Sequence, residues 1–245
     1  MRNKTLLNLC VAAAALICAA SSWAQDEARF ATNPNIWADV PDMAILRVGD
    51  TYYMSSTTMH LSPGLPIMKS KNLVDWDIVS YAYDILDDVD SLALRNGQNA
   101  YGNGSWASSL RYHDGLFYVS TFASNTGKTH IYTTRDPEKE PWKARSFRPM
   151  LHDSSLFFDD DGKKYMLTGA GDLRLVELKD DLSGIKPDGF NDIVIHDVCS
   201  VAGGPGLGEG SQMFKKDGKY YVCNITWPRG DMRTQVIHRA DKITG

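Results

Sequence analysis

The sequence predicts an all-β fold, a β-propeller, and three observations lead to that prediction. A hairpin pattern occurs four times along the chain, in residues 45–57, 109–121, 155–168 and 212–224. A second strand pair, or part of one, follows each hairpin, and no long segment has helical periodicity. A four-stranded unit that recurs about every 40–50 residues is typical of a β-propeller. A β-sandwich built from the same hairpins is the alternative architecture.

Each hairpin has the same local chemistry. An apolar strand leads into a turn that contains glycine, and the strand after the turn is rich in Tyr, Phe, Val and Met. Asp-Gly between two such strands is the strongest short-range signal of a hairpin. The four turn glycines are Gly49, Gly115, Gly162 and Gly218.

Residues 1–24 are predicted to be a secretory signal peptide. Basic residues precede an apolar run over residues 6–20, and residues 22–24 fit a small-x-small cleavage site. A membrane anchor needs about 20 apolar residues, and this run is shorter. We therefore expect an exported protein, periplasmic or extracellular, whose mature chain (25–245) is one propeller domain without a membrane span.

The charge, the composition and the cysteine content indicate which partners and which metal or disulfide sites to expect. The formal net charge is −4, and no long basic run is present, so nucleic acid is not an expected partner. Hydrophobic residues make up 43% of the 245 residues, enough for a sizeable core. No Cys/His cluster has zinc spacing. Cys199 and Cys223 are expected either to form one disulfide or to remain as buried free thiols.

Three carboxyl groups and one indole recur at equivalent positions before the hairpins. Asp42 lies seven residues before its turn glycine, and Trp106, Asp153 and Glu209 each lie nine residues before theirs. The first strand of each propeller blade lines the axis, so residues that enter these strands converge at one mouth of the channel. Carboxylates are costly to bury without partners. Three of them around one axis therefore indicate a functional site.

Such a group of residues suits glycoside hydrolysis. That reaction uses two carboxyl groups, one protonated and one ionised. A third carboxylate nearby raises the pKa of the acid, and an indole offers a flat face to a sugar. Taken singly, Asp42 and Asp153 are better explained as turn caps, and Glu209 as a solvated loop residue. Their shared position in the repeat favours the site.

Four motifs, in the order of the repeats, resemble glycoside hydrolase family 43 over residues 33–245. They are PDMAILRVGDTYYM, WASSLRYHDGLFYV, HDSSLFFDDDGKKYML and GEGSQMFKKDGKYYV. The resemblance implies a five-bladed β-propeller that removes β-xylosyl or α-L-arabinofuranosyl units from plant oligo- or polysaccharides. It implies Asp42 as the general base, Glu209 as the general acid and Asp153 as the pKa modulator that orients the acid. Trp106 would lie beside the sugar.

The resemblance also implies an inverting single displacement. Asp42 would deprotonate a water on one face of the sugar while Glu209 protonates the departing oxygen on the other. The two carboxyl groups of an inverting enzyme are about 6.5–9.5 Å apart. The family's prolines beside these motifs are replaced here by Met43, Ser108, Ser154 and Ser211. These departures bear on substrate preference.

The family has five blades, and the sequence shows four. The chain ends at ADKITG, within a connection that leads to the fifth blade in the family, so we expect a truncated piece of a longer protein. Relatives often carry a calcium ion in the channel, held in part by a histidine of blade five. That histidine is not visible here, so no metal is assigned and no cofactor is expected.

Three further residues are weaker candidates for substrate contact. His60 lies in TTMHLSPGLPI, which resembles a loop at the edge of the family's pocket, and a core or turn role explains it equally well. Arg233 is a candidate for a contact to a sugar hydroxyl, with a surface role as the alternative. Trp227, in the same segment, is either a stacking platform or a core residue.

Two other functions compete with this one. A propeller that binds glycans without cleaving them, or an inactive fragment, is the first alternative. The second is a retaining fructan-type hydrolase, because Arg135-Asp136-Pro137 resembles a motif of those enzymes. The place of this motif in an outer hairpin argues against that function.

Two remaining motifs are interpreted as structural. Asp159-Asp160-Asp161 lies at a hairpin tip, and its spacing is not that of an EF-hand calcium loop. The glycine-rich stretch 203–210 lacks the Gly-Lys-Ser/Thr of a phosphate loop and is expected to bring Glu209 to the channel mouth.

Overall fold

The computed structural model describes residues 30–230 and 232–245 of the chain. Ile36–Gly245 forms one compact unit. The predicted signal peptide, residues 1–24, lies outside the described residues. No helix among the described residues is both long and apolar enough to cross a membrane.

Four antiparallel sheets form the blades, and the strands of each follow one another in sequence order. Blade one contains β1 (Ala44–Val48), β2 (Thr51–Ser55), β3 (Gly64–Ser70) and β4 (Asp77–Tyr83). Blade two contains β5 (Ser109–His113), β6 (Leu116–Ala123), β7 (Lys128–Thr134) and β8 (Lys143–Phe147). Blade three contains β9 (Ser155–Phe158), β10 (Lys164–Thr168), β11 (Leu173–Glu177) and β12 (Asn191–Ile195). Blade four contains β13 (Gly206–Lys216), β14 (Lys219–Pro228) and β15 (Thr234–Ala240), and a short 3₁₀ helix over Ser200–Ala202 precedes it.

The four predicted hairpins are present and join the first two strands of each blade. Gly115 and Gly162 in their turns have φ angles of 76° and 82°. These angles lie in the left-handed region, where a Cβ atom is disfavoured and glycine is not. The local turn prediction is therefore confirmed.

The hydrophobic core lies between neighbouring blades. Adjacent residues of a strand point to opposite faces, so each blade packs on both of its sides. In β9, Leu156 packs against blade two and Phe157 against blade four. Three clusters of this kind join blade one to two, two to three, and three to four. The prediction of a propeller rather than a β-sandwich is confirmed.

The first strands of the four blades surround the axis. Neighbouring strands β1, β5, β9 and β13 contact one another in that order. Together they line a cavity of about 680 Å³. Residues that enter these strands therefore reach a common mouth, as the repeat predicts.

The glycine-rich stretch 203–210 leads from the 3₁₀ helix into β13. β13 begins at Gly206 and contains Glu209. Glycine is needed at Gly206 because a Cβ atom there would lie 2.1 Å from the carbonyl oxygen of Trp227 in the paired strand β14. Close strand pairing therefore explains Gly206, and a Cβ atom at Gly208 would lie 2.2 Å from Cγ1 of Val198.

Cys199 and Cys223 are both free thiols. Cys199 is buried, and Cys223 is half-buried. Burial raises the pKa of the Cys223 thiol. The sequence left open whether these cysteines form a disulfide or remain free thiols, and in the structure they are free thiols.

The Asp159-Asp160-Asp161 turn is anchored by a lysine of the next blade. The Nζ of Lys215 lies 2.9 Å from Asp159 Oδ1 and 2.8 Å from Asp160 Oδ2. The hydroxyl of Tyr220 donates to Asp159 Oδ2 at 2.7 Å. The cation beside this turn is thus an ammonium group of the protein, which agrees with the structural interpretation of the motif.

Asp159→Asn is expected to lower the free energy of unfolding by about 1–3 kcal/mol, because Lys215 loses a buried charged acceptor. Burial raises the pKa of Asp159, but the hydrogen bonds from Lys215 and Tyr220 outweigh it and leave the pKa below its ordinary value. A lowered carboxyl pKa gives stability that is present above the unfolded-state pKa and is lost as the pH falls through the folded-state pKa. Urea unfolding at a series of pH values should show the effect at pH 7 and its decrease below about pH 4.

Asp160→Asn is the matched control, because this carboxylate contacts the same ammonium with 83% of its side chain exposed. An exposed ion pair contributes less than about 1 kcal/mol. Equal losses for the two variants would contradict the importance of the buried partner.

Candidate active site

The structure brings the three predicted carboxyl groups together. Asp42 precedes β1, Asp153 precedes β9 and Glu209 lies in β13. The negative charge of Glu209 acts on both Asp42 and Asp153, and the charge of Asp42 also acts on Asp153. Carboxyl groups from blades one, three and four thus lie close enough at the channel mouth for the charge of one to affect the pKa of another.

Unusual backbone angles direct these side chains. Asp42 and Asp153 have φ angles of 50° and 44°, in the left-handed region that non-glycine residues seldom occupy. The register of β13 against β14 shifts between Glu209 and Gln212, and Gly210 within this irregularity has a φ of 67°. Such departures from regular strand geometry concentrate at functional sites because they re-aim a side chain.

Two adjacent residues of blade three contact two adjacent residues of blade four. His152 Nε2 lies 3.0 Å from Glu209 Oε2. The Gly210 N–H donates to Asp153 Oδ2, also at 3.0 Å. Both contacts cross the interface between the blades, so they fix Glu209 relative to Asp153.

Burial and like charge raise the pKa of two of the carboxyl groups. For Asp153 burial is the main cause; Glu209 and Asp42 add to it, while His152 and the Gly210 hydrogen bond oppose it. For Asp42 burial is again the largest cause, and the charge of Glu209 adds to it. Groups whose proton affinity is raised in this way are suited to acid–base catalysis.

Arg233 lies at the edge of the site. Its guanidinium carbon is 4.2 Å from the centre of the Trp227 ring. Its positive charge lowers the pKa of Asp42 and so partly offsets the two causes that raise it. The side chain is exposed and stacks on Trp227. These two weak candidates from the sequence therefore form one unit close to Asp42.

Trp106 and His60 are joined through one loop. The Nε1–H of Trp106 donates to the Gly102 carbonyl at 3.1 Å, and the Gly102 N–H donates to His60 Nδ1 at 3.4 Å. The Trp106 ring packs edge-on against Phe122 at 5.9 Å, and Phe122 packs against His152 at 4.9 Å. Trp106 is thus connected to the acids through two aromatic rings. His60 supports the loop that holds Trp106.

Two residues that replace the family's prolines make buried hydrogen bonds. The hydroxyl oxygens of Ser108 and Ser55 lie 2.7 Å apart and join blade two to blade one. The Asn224 side-chain amide donates to Ser211 Oγ at 2.8 Å, two residues after Glu209. Proline could make neither bond, so these departures contribute to the scaffold of the site.

His152 is a site residue that the sequence analysis did not identify. The one feature of the sequence that could have identified His152 is its position next to Asp153. Adjacent residues of a strand normally point to opposite faces, which argues against both reaching one site. The left-handed φ of Asp153 breaks this alternation, and both residues contact the Glu209–Gly210 segment.

His152, Asp153 and Glu209 are the group that could hold a metal ion among the described residues. Each offers one ligand atom, and these atoms all lie within 4.8 Å of one another. Two of these atoms, Nε2 of His152 and Oε2 of Glu209, are at hydrogen-bond distance from each other.

A partly buried arginine lies in the described wall of the channel, where the family resemblance suggests a calcium ion. Arg111 in β5 donates to Ser155 Oγ and to the Leu156 carbonyl, each at 2.7 Å, and to the Met213 carbonyl at 3.3 Å. Burial lowers the pKa of Arg111 to about 10. Oxygens of the kind that calcium binds therefore already accept hydrogen bonds from a cation of the protein.

Arg111→Leu is expected to lower the free energy of unfolding by about 1–3 kcal/mol, because oxygens of two neighbouring blades lose their donor. Chemical denaturation measures this loss. Arg47→Leu is the matched control: Arg47 lines the same cavity, but it donates to Gly49 in its own exposed turn. The control should change stability by no more than about 0.5 kcal/mol. Losses of equal size would contradict the inter-blade role of Arg111.

Arg135-Asp136-Pro137 lies in the outer turn between β7 and β8. The Glu138 N–H donates to Asp136 Oδ1 at 2.9 Å and closes that turn. The structural interpretation of this motif agrees with its position away from the first strands.

The fold and the site define a β-propeller with a carboxylate cluster at one mouth of its channel. The sequence profile of the glycosyl hydrolases family 43 matches residues 31–245. The chain belongs to this family. Its solved neighbours are five-bladed propellers, and the described part of the chain contains four blades.

Known proteins that resemble the chain are considerably longer. A beta-xylosidase of Formosa agariphila is 31% identical over 227 residues, 87% of this chain and 37% of that protein. A non-reducing end alpha-L-arabinofuranosidase of Bacteroides ovatus is 31% identical over 87% of this chain and 39% of that protein. The solved structure of a bifunctional GH43-CE protein of Bacteroides eggerthii has 59% identity and a TM-score of 0.84, over 88% of this chain and 28% of that chain. The chain spans less than half the length of these relatives.

Proposed function

We propose that the chain is the catalytic propeller, in whole or in part, of an exported glycoside hydrolase that removes terminal xylosyl or arabinofuranosyl units from plant oligo- or polysaccharides. The convergence of Asp42, Asp153 and Glu209 on one electrostatic site carries this proposal. Family membership supports the reaction class. The names of the xylosidase and arabinofuranosidase relatives support the two sugars.

In the proposed mechanism Asp42 is the general base and Glu209 the general acid of an inverting single displacement. Asp42 takes a proton from a water molecule, whose oxygen bonds to the anomeric carbon. Glu209 gives its proton to the glycosidic oxygen as the bond to that carbon breaks. Asp153, held by the Gly210 N–H, acts as the pKa modulator that orients the acid. Two carboxyl groups complete this reaction without a cofactor.

The proposed substrate contacts follow from the same surroundings. Trp106 is 36% exposed and offers an aromatic face to the sugar. Arg233, stacked on Trp227, offers N–H donors to sugar hydroxyl groups. His60 acts indirectly: it accepts a hydrogen bond from the Gly102 N–H, and the Gly102 carbonyl in turn holds Trp106.

Hydrolysis of chromogenic aryl β-xyloside and α-L-arabinofuranoside by the purified protein tests the proposal. Proton NMR during the first turnovers identifies the anomer released. Inversion of the anomeric centre supports the single displacement, and retention contradicts it. Binding of xylo-oligosaccharides with no hydrolysis of any of these substrates would instead favour a glycan-binding propeller.

A further inference from the structure

His152 makes a close contact to Glu209 and is itself firmly held. Its Nε2 lies 3.0 Å from Glu209 Oε2. Phe122 packs edge-on against its ring, with the ring centres 4.9 Å apart. Its carbonyl accepts hydrogen bonds from Thr168 Oγ1 at 2.7 Å and from the Gly169 N–H at 3.2 Å. Both the backbone and the ring of His152 are therefore fixed.

The distances identify Glu209 as the hydrogen-bond partner of His152. The same Nε2 atom lies 3.8 Å from Asp153 Oδ2, which is beyond hydrogen-bond length. Asp153 Oδ2 instead accepts the Gly210 N–H. The imidazole is therefore available to one carboxyl oxygen, Oε2 of Glu209.

This contact can decide which oxygen of Glu209 carries the proton. An O–H on Oε2 would point at the imidazole nitrogen and would be held away from a substrate. If the Nε2–H of His152 donates to Oε2, the transferable proton resides on Oε1. The imidazole N–H then also stabilises the carboxylate that remains after proton transfer, since hydrogen bonds to charged groups are the stronger ones.

We propose that His152 is a positioning residue for Glu209, which donates its Nε2–H to Oε2 and keeps the acidic proton on Oε1. The proposal rests on the proposed function. In the reaction the Oε1 proton moves to the glycosidic oxygen, which keeps the electron pair of the broken bond to carbon. The water oxygen bonds to that carbon, and the water proton moves to Asp42. Glu209 ends as a carboxylate that accepts the hydrogen bond of His152.

The test compares two leaving groups in the purified protein. A methyl glycoside needs protonation of its oxygen, whereas a dinitrophenyl glycoside departs without it. His152→Met, which removes the N–H donor, is expected to lower kcat about 10- to 100-fold on the methyl glycoside and less than about threefold on the dinitrophenyl glycoside, with KM unchanged. His152→Gln keeps an N–H donor and should recover most of the lost rate.

His196→Met is the matched control, because the side chain of His196 is 77% exposed on the outer part of blade three. It should leave both rates unchanged. Equal losses on both glycosides in His152→Met would indicate a structural role and overturn the inference while the proposed function stands. If the wild-type protein hydrolyses neither glycoside, the proposed function fails and the inference about His152 fails with it.

Discussion

Glu209→Gln is expected to lower kcat/KM for a methyl glycoside by about 100- to 10,000-fold, the contribution of a general acid. Glutamine keeps the shape of the side chain and can still contact His152, but it has no proton of suitable acidity to give. The loss should be small for a dinitrophenyl glycoside, because that leaving group departs as a stable anion. Steady-state kinetics with the two substrates measures the difference.

Glu140→Gln is the control for this change, since Glu140 is an exposed residue of the outer turn between β7 and β8. Its activity should equal that of the wild type. A Glu209→Gln protein that hydrolyses the methyl glycoside at the wild-type rate would remove Glu209 from the proposed mechanism. So would a loss of equal size on both leaving groups, because that pattern is not one of acid catalysis.

Asp42→Asn is expected to lower kcat/KM by about 100- to 10,000-fold on both the methyl and the dinitrophenyl glycoside. Attack by water is needed whichever group leaves, so an acidic leaving group cannot compensate for a lost base. This pattern separates the base from the acid in one set of assays. Asp50→Asn, an exposed carboxylate in the turn after β1, serves as the control.

The pH dependence of the wild-type rate gives a second measure of Asp42. A general base works in its ionised form, and burial is the main cause that raises the pKa of Asp42. The acidic limb of kcat/KM should therefore lie above the ordinary aspartate pKa of about 3.9. Glu209 acts in its protonated form, so Glu209→Gln, assayed with the dinitrophenyl glycoside, should leave this limb in place. An acidic limb at or below the ordinary aspartate pKa would contradict Asp42 as the buried base.

The sequence by itself determined the repeating unit. Hairpins with glycine turns, such as those at Gly115 and Gly162, depend on residues that are adjacent in the chain. The alternation that sends Leu156 to one neighbouring blade and Phe157 to the other is equally local, because it follows from the period of two in a strand. The repeat also predicted that Asp42, Asp153 and Glu209 reach one mouth, since equivalent positions of different blades are related by the propeller axis.

Only the tertiary structure decided which side chains contact one another across the blades. His152 and Glu209 are 57 positions apart in sequence, and Arg111 and Gln212 are 101 apart. Neither pair has a local pattern, because the contact depends on the packing distance between blades and on backbone angles such as the left-handed φ of Asp153. The same reasoning applies to Lys215, whose ammonium reaches the acidic turn of blade three only when the blades pack. The sequence therefore specifies the blade and the location of the acids, while the packing between blades supplies the partners that set their proton affinity and orientation.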